Sequence, residues 1–232
     1  MSSEHVNRIL CASRPSGSVE GIKRLLEVAA ESGAQAIAIV GDLSNGQEGP
    51  RELFHALGRA QQPVYWVPGQ ADAPGGRYLR ESYNIEIACP QLRGVHGTVA
   101  FAPDALVAFA GMGGAVSDDP DASRDEDTSL RYPRWEAAYR LKVVTVLDYN
   151  ELVMLFATPP AHKGRNLPGS DAVAELIGTY RPRLVVTGGE AQITEIGRSL
   201  IVAPGSLAEG SYAVADLHAR TAEFGHTAVP SR

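Results

Sequence analysis

From Arg8 to Gly69 the chain repeats one pattern: a short, mostly apolar run, an amphipathic stretch, then another apolar run. The apolar runs are "RILCAS" (8–13), "AQAIAIVGD" (34–42) and "PVYWVPG" (63–69). Apolar residues that do not alternate with polar ones mark strands buried on both faces. Between them, "SVEGIKRLLEVAAESG" (18–33) places Ile22, Leu25, Leu26 and Ala29 on one helical stripe, with Ser18 as N-cap and Gly33 as terminator. "PRELFHALGRA" (50–60) is a second helix, with Pro50 in its first turn. Strand, helix, strand, repeated twice, forces a parallel sheet covered by helices, so the fold is α/β.

The middle is less regular. "GRYLRESYN" predicts a short helix, and "TVAFAPDALVAFAGMGG" two strands about a Pro-Asp turn. Residues 116–133 are polar and acidic and predict an exposed loop, followed by a helix over 134–149. Alternation then returns: a strand at 152–158, a helix at 170–180 with Ser170 as N-cap, and a strand at 183–189. "SLIVAPGSL" and "GSYAVADLHARTAEFGHT" read as antiparallel strands, the second a hairpin about "HAR". No repeat divides the 232 residues, which are expected to form a single domain, 1–232.

The net charge of −6 argues against a general nucleic-acid binder. No apolar run reaches the roughly 20 residues of a membrane span, and the N-terminus lacks a signal-peptide pattern, so the expected location is cytoplasmic, with no membrane partner. Cys11 and Cys89 show no CxxC spacing and are expected as free thiols.

The informative turns all follow apolar strands, where α/β folds place their ligands. They are "ASRPSGS", "GDLSN", "PGQADAP", "TPPAHKGRN" and "TGGEAQ". The Gly-rich "GMGGAV" lacks the spacing of a phosphate cradle and reads as a turn. His5, His55, His96, His218 and His226 lie outside these turns, and no Ser-His-Asp or Cys-His set stands out.

In the order and spacing of these turns, and in "APGSL" followed by "YAVADL" near the C-terminus, the chain resembles the calcineurin-like metallophosphoesterase superfamily. In particular it resembles a small bacterial subgroup whose members often carry altered metal motifs. The resemblance covers nearly the whole chain. It implies a four-layer sandwich, two mixed β-sheets flanked by helices. It also implies a two-metal centre built from D-x-H, G-D, G-N-H-D/E, a later His and G-H-x-H, whose ions clamp phosphoryl oxygens and activate water.

Carried over position by position, those frames are mostly altered. The first falls on Arg14-Pro15-Ser16, and the second is intact as Gly41-Asp42. The third falls on Gly69-Gln70-Ala71-Asp72. The later His falls on Ala157, and the last frame on Gly188-Gly189-Glu190-Ala191. Asp42 alone is kept as a ligand, Gln70 is a weak substitute, and the position of Asp72 in the family only orients the missing His. Arg14 adds a positive charge where dications would sit, which costs several kcal/mol even at an effective dielectric of ~20.

The expectation is therefore that no dinuclear site assembles and no cofactor is required. The cleft would instead bind a small anionic, phosphate-like ligand or a protein partner. Arg14, Ser16, Asp42, Asn45, Gln70, Asp72, His162, Lys163 and Glu190 are the candidate ligand-binding residues, and none is assigned as catalytic. Arg14 either pairs with Asp42 or grips an anion through its guanidinium fork. Amides at the start of the first helix, after Ser16, also favour anions. His162, Lys163 and Arg165 share one basic loop. The alternative is an active phosphoesterase on a reduced site, one divalent cation held by Asp42 with Gln70, Asp72, Glu190 and Asn45. The acidic loop 116–128 and the Trp135/Tyr139 helix are open to a dimer contact, but the sequence leaves the oligomeric state undecided.

Overall fold

The computed structural model describes residues 5–46, 50–162 and 168–227. Lys163 and Arg165 of the expected basic loop lie outside them. The first apolar runs form β1 (Arg8–Ser13), β2 (Ala36–Val40) and β3 (Val64–Val67), joined by α1 (Val19–Glu31) and α2 (Arg51–Leu57). The Ser18 hydroxyl accepts from Gly21 N and starts α1, as expected of a helix cap. The chain continues through α3 (Gly75–Ala88), β4 (Leu92–Gly94), β5 (Val99–Phe101), β6 (Val107–Met112), β7 (Ala115–Ser117), β8 (Arg131–Pro133) and α4 (Arg134–Leu141). It ends with β9 (Glu151–Phe156), α5 (Asp171–Tyr180), β10 (Leu184–Thr187), β11 (Gln192–Ile196), β12 (Ser199–Ala203), β13 (Ser211–Asp216) and β14 (Thr221–His226).

Two six-stranded mixed sheets result, ordered β14-β13-β1-β2-β3-β4 and β11-β12-β10-β9-β6-β5, with β7 and β8 pairing apart. In each sheet the central strands are parallel and the edges turn antiparallel or short. Because strand side chains alternate, each sheet has two buried faces. Ile9, Cys11, Ala38, Val40, Tyr65 and Val67 of the first sheet meet Phe109, Val153, Leu155, Val186 and Val202 of the second. Tyr65 and Phe109 stack across this seam with ring centroids 3.7 Å apart. The opposite faces are covered by helices. Leu10, Ile37, Ile39 and Trp66 pack under α1, α2 and α3, and Met112, Met154, Phe156 and Val185 under α4 and α5. The architecture is the helix–sheet–sheet–helix sandwich that the alternation and the resemblance imply.

Several elements differ from expectation. The short helix at 76–84 extends to the 14 residues of α3. The acidic loop is bounded by β7 and β8, with Leu130 and Tyr132 buried. The helix over 134–149 leaves α geometry after Leu141 and continues as a 3-10 turn, Lys142–Val146. β12 does not pair with β13. It runs parallel to β10 and antiparallel to β11, while β13 forms the expected hairpin with β14 and joins β1 in the other sheet, so "SLIVAPGSL" crosses between sheets.

Candidate functional site

The C-terminal ends of β1, β2, β3, β6, β9 and β10 converge at one edge of the sandwich. There they enclose a cleft of about 240 Å³, lined by Arg14, Asp42, Gln70 and Thr158 and otherwise by glycines, alanines and a proline. The turn at the end of each strand contributes one wall.

Arg14 leaves β1 at φ 47°, in the left-handed region, and Ser16 and Gly17 follow at φ 49° and 77°. For a residue with a Cβ this conformation costs on the order of 1 kcal/mol and persists only where the surroundings impose it. Here they do. Arg14 N donates to Val40 O, Ser16 N to Asp42 O and Gly17 N to Leu43 O, which strap the β1–α1 loop onto the β2–α2 loop. From the other side, Ser13 Oγ donates to Gly205 O and Ala208 N to Arg14 O, so the "APGSL" turn clamps the same loop. The guanidinium is thereby held in the cleft. Its Nη2 donates to Gly189 O at 3.1 Å, and its Nε is buried without a partner.

The expected pairing with Asp42 does not form; among the described residues Arg14 has no carboxylate within ion-pair distance. Asp42 instead accepts from Ala71 N through Oδ1 at 3.0 Å. Gly69 packs so tightly on Asp42 that a Cβ there would overlap its backbone nitrogen and carboxylate, which fixes why this turn needs glycine.

Asp72, expected to line the cleft, does not. It is fully buried, and its carboxylate accepts from Leu43 N (2.9 Å), Ser44 N (2.6 Å) and Gly69 N (2.8 Å). Burial pushes its carboxyl pKa up, against the downward pull of these amides. Asp72 therefore ties the β2–α2 loop to the β3 turn and has no oxygen to offer a ligand.

Ser16, Asn45, His162 and Glu190 are also outside the lining. Ser16 Oγ turns back to Arg14 O, Asn45 packs over Gly17, and His162 bonds Thr194 of β11 at 3.0 Å. Glu190 is exposed beyond Gly189. Conversely, Gly114, Ala115, Thr158 and Pro159 line the cleft and are not among the sequence candidates. Gly114 and Ala115 belong to "GMGGAV", which reads as a turn. Thr158 Oγ1 accepts from Val116 N and donates to Gly114 O, locking that turn to the end of β9.

A two-metal centre needs several carboxylate and imidazole ligands converging. The lining holds one carboxylate, Asp42, and no imidazole. Among the described residues no three His, Cys, Asp or Glu come together as a ligand set. These donors do not fit two divalent ions.

The chain nevertheless belongs to the metallophosphoesterase family of the calcineurin superfamily, whose family model matches residues 49–227. Its structure is similar to that of TT1561 of Thermus thermophilus, at 40% identity and a TM-score of 0.90, covering 96% of this chain and 99% of that one. A dimetal phosphatase from Danio rerio (11% identity, TM-score 0.60, covering 92% of this chain and 93% of that one) shares the fold. So does an archaeal phosphodiesterase (8%, 0.57, covering 95% and 99%). A comparison with curated proteins found no match. No helix among the described residues is long and apolar enough to cross a membrane.

Proposed function

We propose that this protein is a non-hydrolytic member of its family that binds a small oxyanion, phosphate or a phosphate monoester, in the cleft at Arg14. The observation that carries it is the state of the guanidinium. It is locked in the cleft by a strained loop, faces no carboxylate partner among the described residues, and spends one N–H on Gly189 O. A charge held this way is stabilised by an anion that accepts two hydrogen bonds from its fork. It occupies the region in which a working two-metal enzyme would gather dications.

Phosphoester hydrolysis on a reduced metal site is the competing reading. Among the described residues it finds Asp42 and the Gln70 amide as side-chain oxygen donors in the lining beside the Thr158 hydroxyl, because Asp72 is buried and accepts from three amides. The binding reading takes the protein as cytoplasmic, supported by two cysteines that remain free thiols.

Titration calorimetry with inorganic phosphate tests it. Arg14→Ala removes charge-assisted hydrogen bonds of about 1.5–3 kcal/mol each and is expected to weaken binding at least ~10-fold. Turnover of p-nitrophenyl phosphate that requires added manganese and is abolished in Asp42→Asn would overturn the binding reading in favour of catalysis.

A further inference from the structure

We propose that the outer face of α4 is a self-association surface, pairing with the same face of a second copy about a two-fold axis, with Trp135 of each chain entering the groove between α4 and α5 of the other. The inner side of α4 and its 3-10 continuation is apolar and buried through Ala137, Leu141 and Val144. The outer side, though it includes Lys142 and Thr145, is mostly apolar as well. Trp135, Tyr139, Val143 and Val146 follow at spacings of four, four and three residues, and are 64%, 73%, 39% and 78% exposed. A helix apolar on both sides is one that is covered on both sides.

Local shape selects a second copy as the cover. Trp135 stands as a ridge between two hollows. One, of about 340 Å³, lies between α4 and α5 and is floored by Ala138, Ala172 and Leu176. The other, of about 420 Å³, opens toward Arg124 and Tyr139. A two-fold contact requires one surface to carry both the projection and its recess, and an indole beside an aliphatic groove satisfies that.

The charges agree. Arg134 is paired with Glu175, and Arg140 with Glu136 and Glu126, within the chain. Arg124 also reaches Glu136 at 3.7 Å, so the ionic groups lining the two hollows form paired rims, and Lys142, exposed at the end of α4, can keep its ammonium in solvent at the edge of the contact. At 64% and 73% exposure, Trp135 and Tyr139 each have about 100–180 Å² left to bury. With two valines and the groove walls added, the contact approaches the ~800 Å² per partner of a standard stable interface.

The second exposed apolar stripe, Leu79, Tyr83 and Ile87 on α3, lacks these features. The hollows beside it are edged by Arg51 and His55 on one side and by Arg93 on the other, which make no ion pair among the described residues.

Sedimentation velocity on the full chain, from sub-micromolar to about 100 μM, tests the assignment. The wild type is expected to move to twice the 24.6 kDa chain mass as concentration rises. Trp135→Asp should weaken association about 30-fold or more, the effect of losing a central hot spot, while Tyr83→Asp leaves it unchanged. Folding of both variants is checked by far-UV circular dichroism. Fluorescence gives a second readout. Trp66 is fully buried, so acrylamide quenching reports Trp135, and quenching should rise on dilution as the indole is uncovered. A wild type that stays monomeric throughout, or a dimer that survives Trp135→Asp, overturns the proposal; a dimer lost only in Tyr83→Asp moves the interface to α3.

Discussion

Arg14 and Asp72 show opposite uses of a charged side chain in one set of loops. Asp72 is buried with its carboxylate turned to three backbone amides, and Arg14 keeps donors in reserve. Asp72→Ala leaves three buried N–H groups without acceptors at about 1–3 kcal/mol each, so a loss of about 3 kcal/mol or more is expected in urea unfolding. Glu190→Ala, at an exposed position, should stay within about 0.5 kcal/mol. A small loss for Asp72→Ala would mean that the carboxylate does not strap the loops. For Arg14 the strain runs the other way. Its φ of 47° suits glycine, so Arg14→Gly relieves the conformation and is expected to raise stability by up to about 1 kcal/mol while removing phosphate binding. Binding that survives in a stabilised Arg14→Gly protein would dissociate the strain from any function.

At the level of elements, His96 joins the segment between β4 and β5 to the turn after β6 and to β8. Its Nδ1 accepts from Gly113 N at 2.9 Å, so the proton sits on Nε2 and is donated to Tyr132 Oη at 3.0 Å. Burial first, and the nearby Arg140 charge second, push its pKa down from 6.5 to about 3. Between those values the unfolded chain binds a proton that the folded one refuses. The stabilisation from neutral His96 is therefore complete above pH 6.5 and is lost as pH falls toward 3, by up to a few kcal/mol at about 1.4 kcal/mol per unit. His96→Gln should flatten that part of a urea-midpoint against pH curve; an unchanged slope would assign the acid sensitivity to other groups. None of this network is legible in the sequence, where His96 is an isolated imidazole. The legible elements are those whose apolar residues face the core. β1, β2, β3, β9 and β10 are nearly continuous buried runs, and α1 carries a clean stripe. α3 is longer than its pattern suggests because the apolar Leu79, Tyr83 and Ile87 are exposed while its buried face mixes Tyr78 and Ile85 with Gly75 and Ser82, which blurs the stripe. β4, β7 and β8 have three residues each, too few for a period, and β11 is a half-exposed edge. Arg14, Asp42 and Gln70 are legible because they directly follow readable strands. The burial of Asp72 and the lining role of Thr158 depend on loop-to-loop hydrogen bonds that no spacing encodes.

At the scale of the molecule, two parallel sheet cores point their C-terminal ends at the same cleft, and the loops there are tied to one another across both sheets. A ligand gripped at Arg14 contacts turns from each sheet, Gly41 and Gly69 on one side, Gly188 and Gly189 on the other. It should thus stabilise the whole fold by mass action, not one loop. At about 100 times its dissociation constant a ligand adds about 2.7 kcal/mol, and for a chain of this size each kcal/mol is worth roughly 2–4 °C. Phosphate near saturation should then raise the melting temperature by about 5–10 °C, and Arg14→Ala should abolish the rise. Manganese or zinc without phosphate, and chelator added to the purified protein, should each leave the transition unmoved, because a lone carboxylate and an amide hold a dication weakly. The opposite pattern, a metal-dependent rise lost in Asp42→Asn and no response to phosphate, would show that Asp42 recruits donors for a cation, and the cleft would then be a metal site with Arg14 as its substrate anchor.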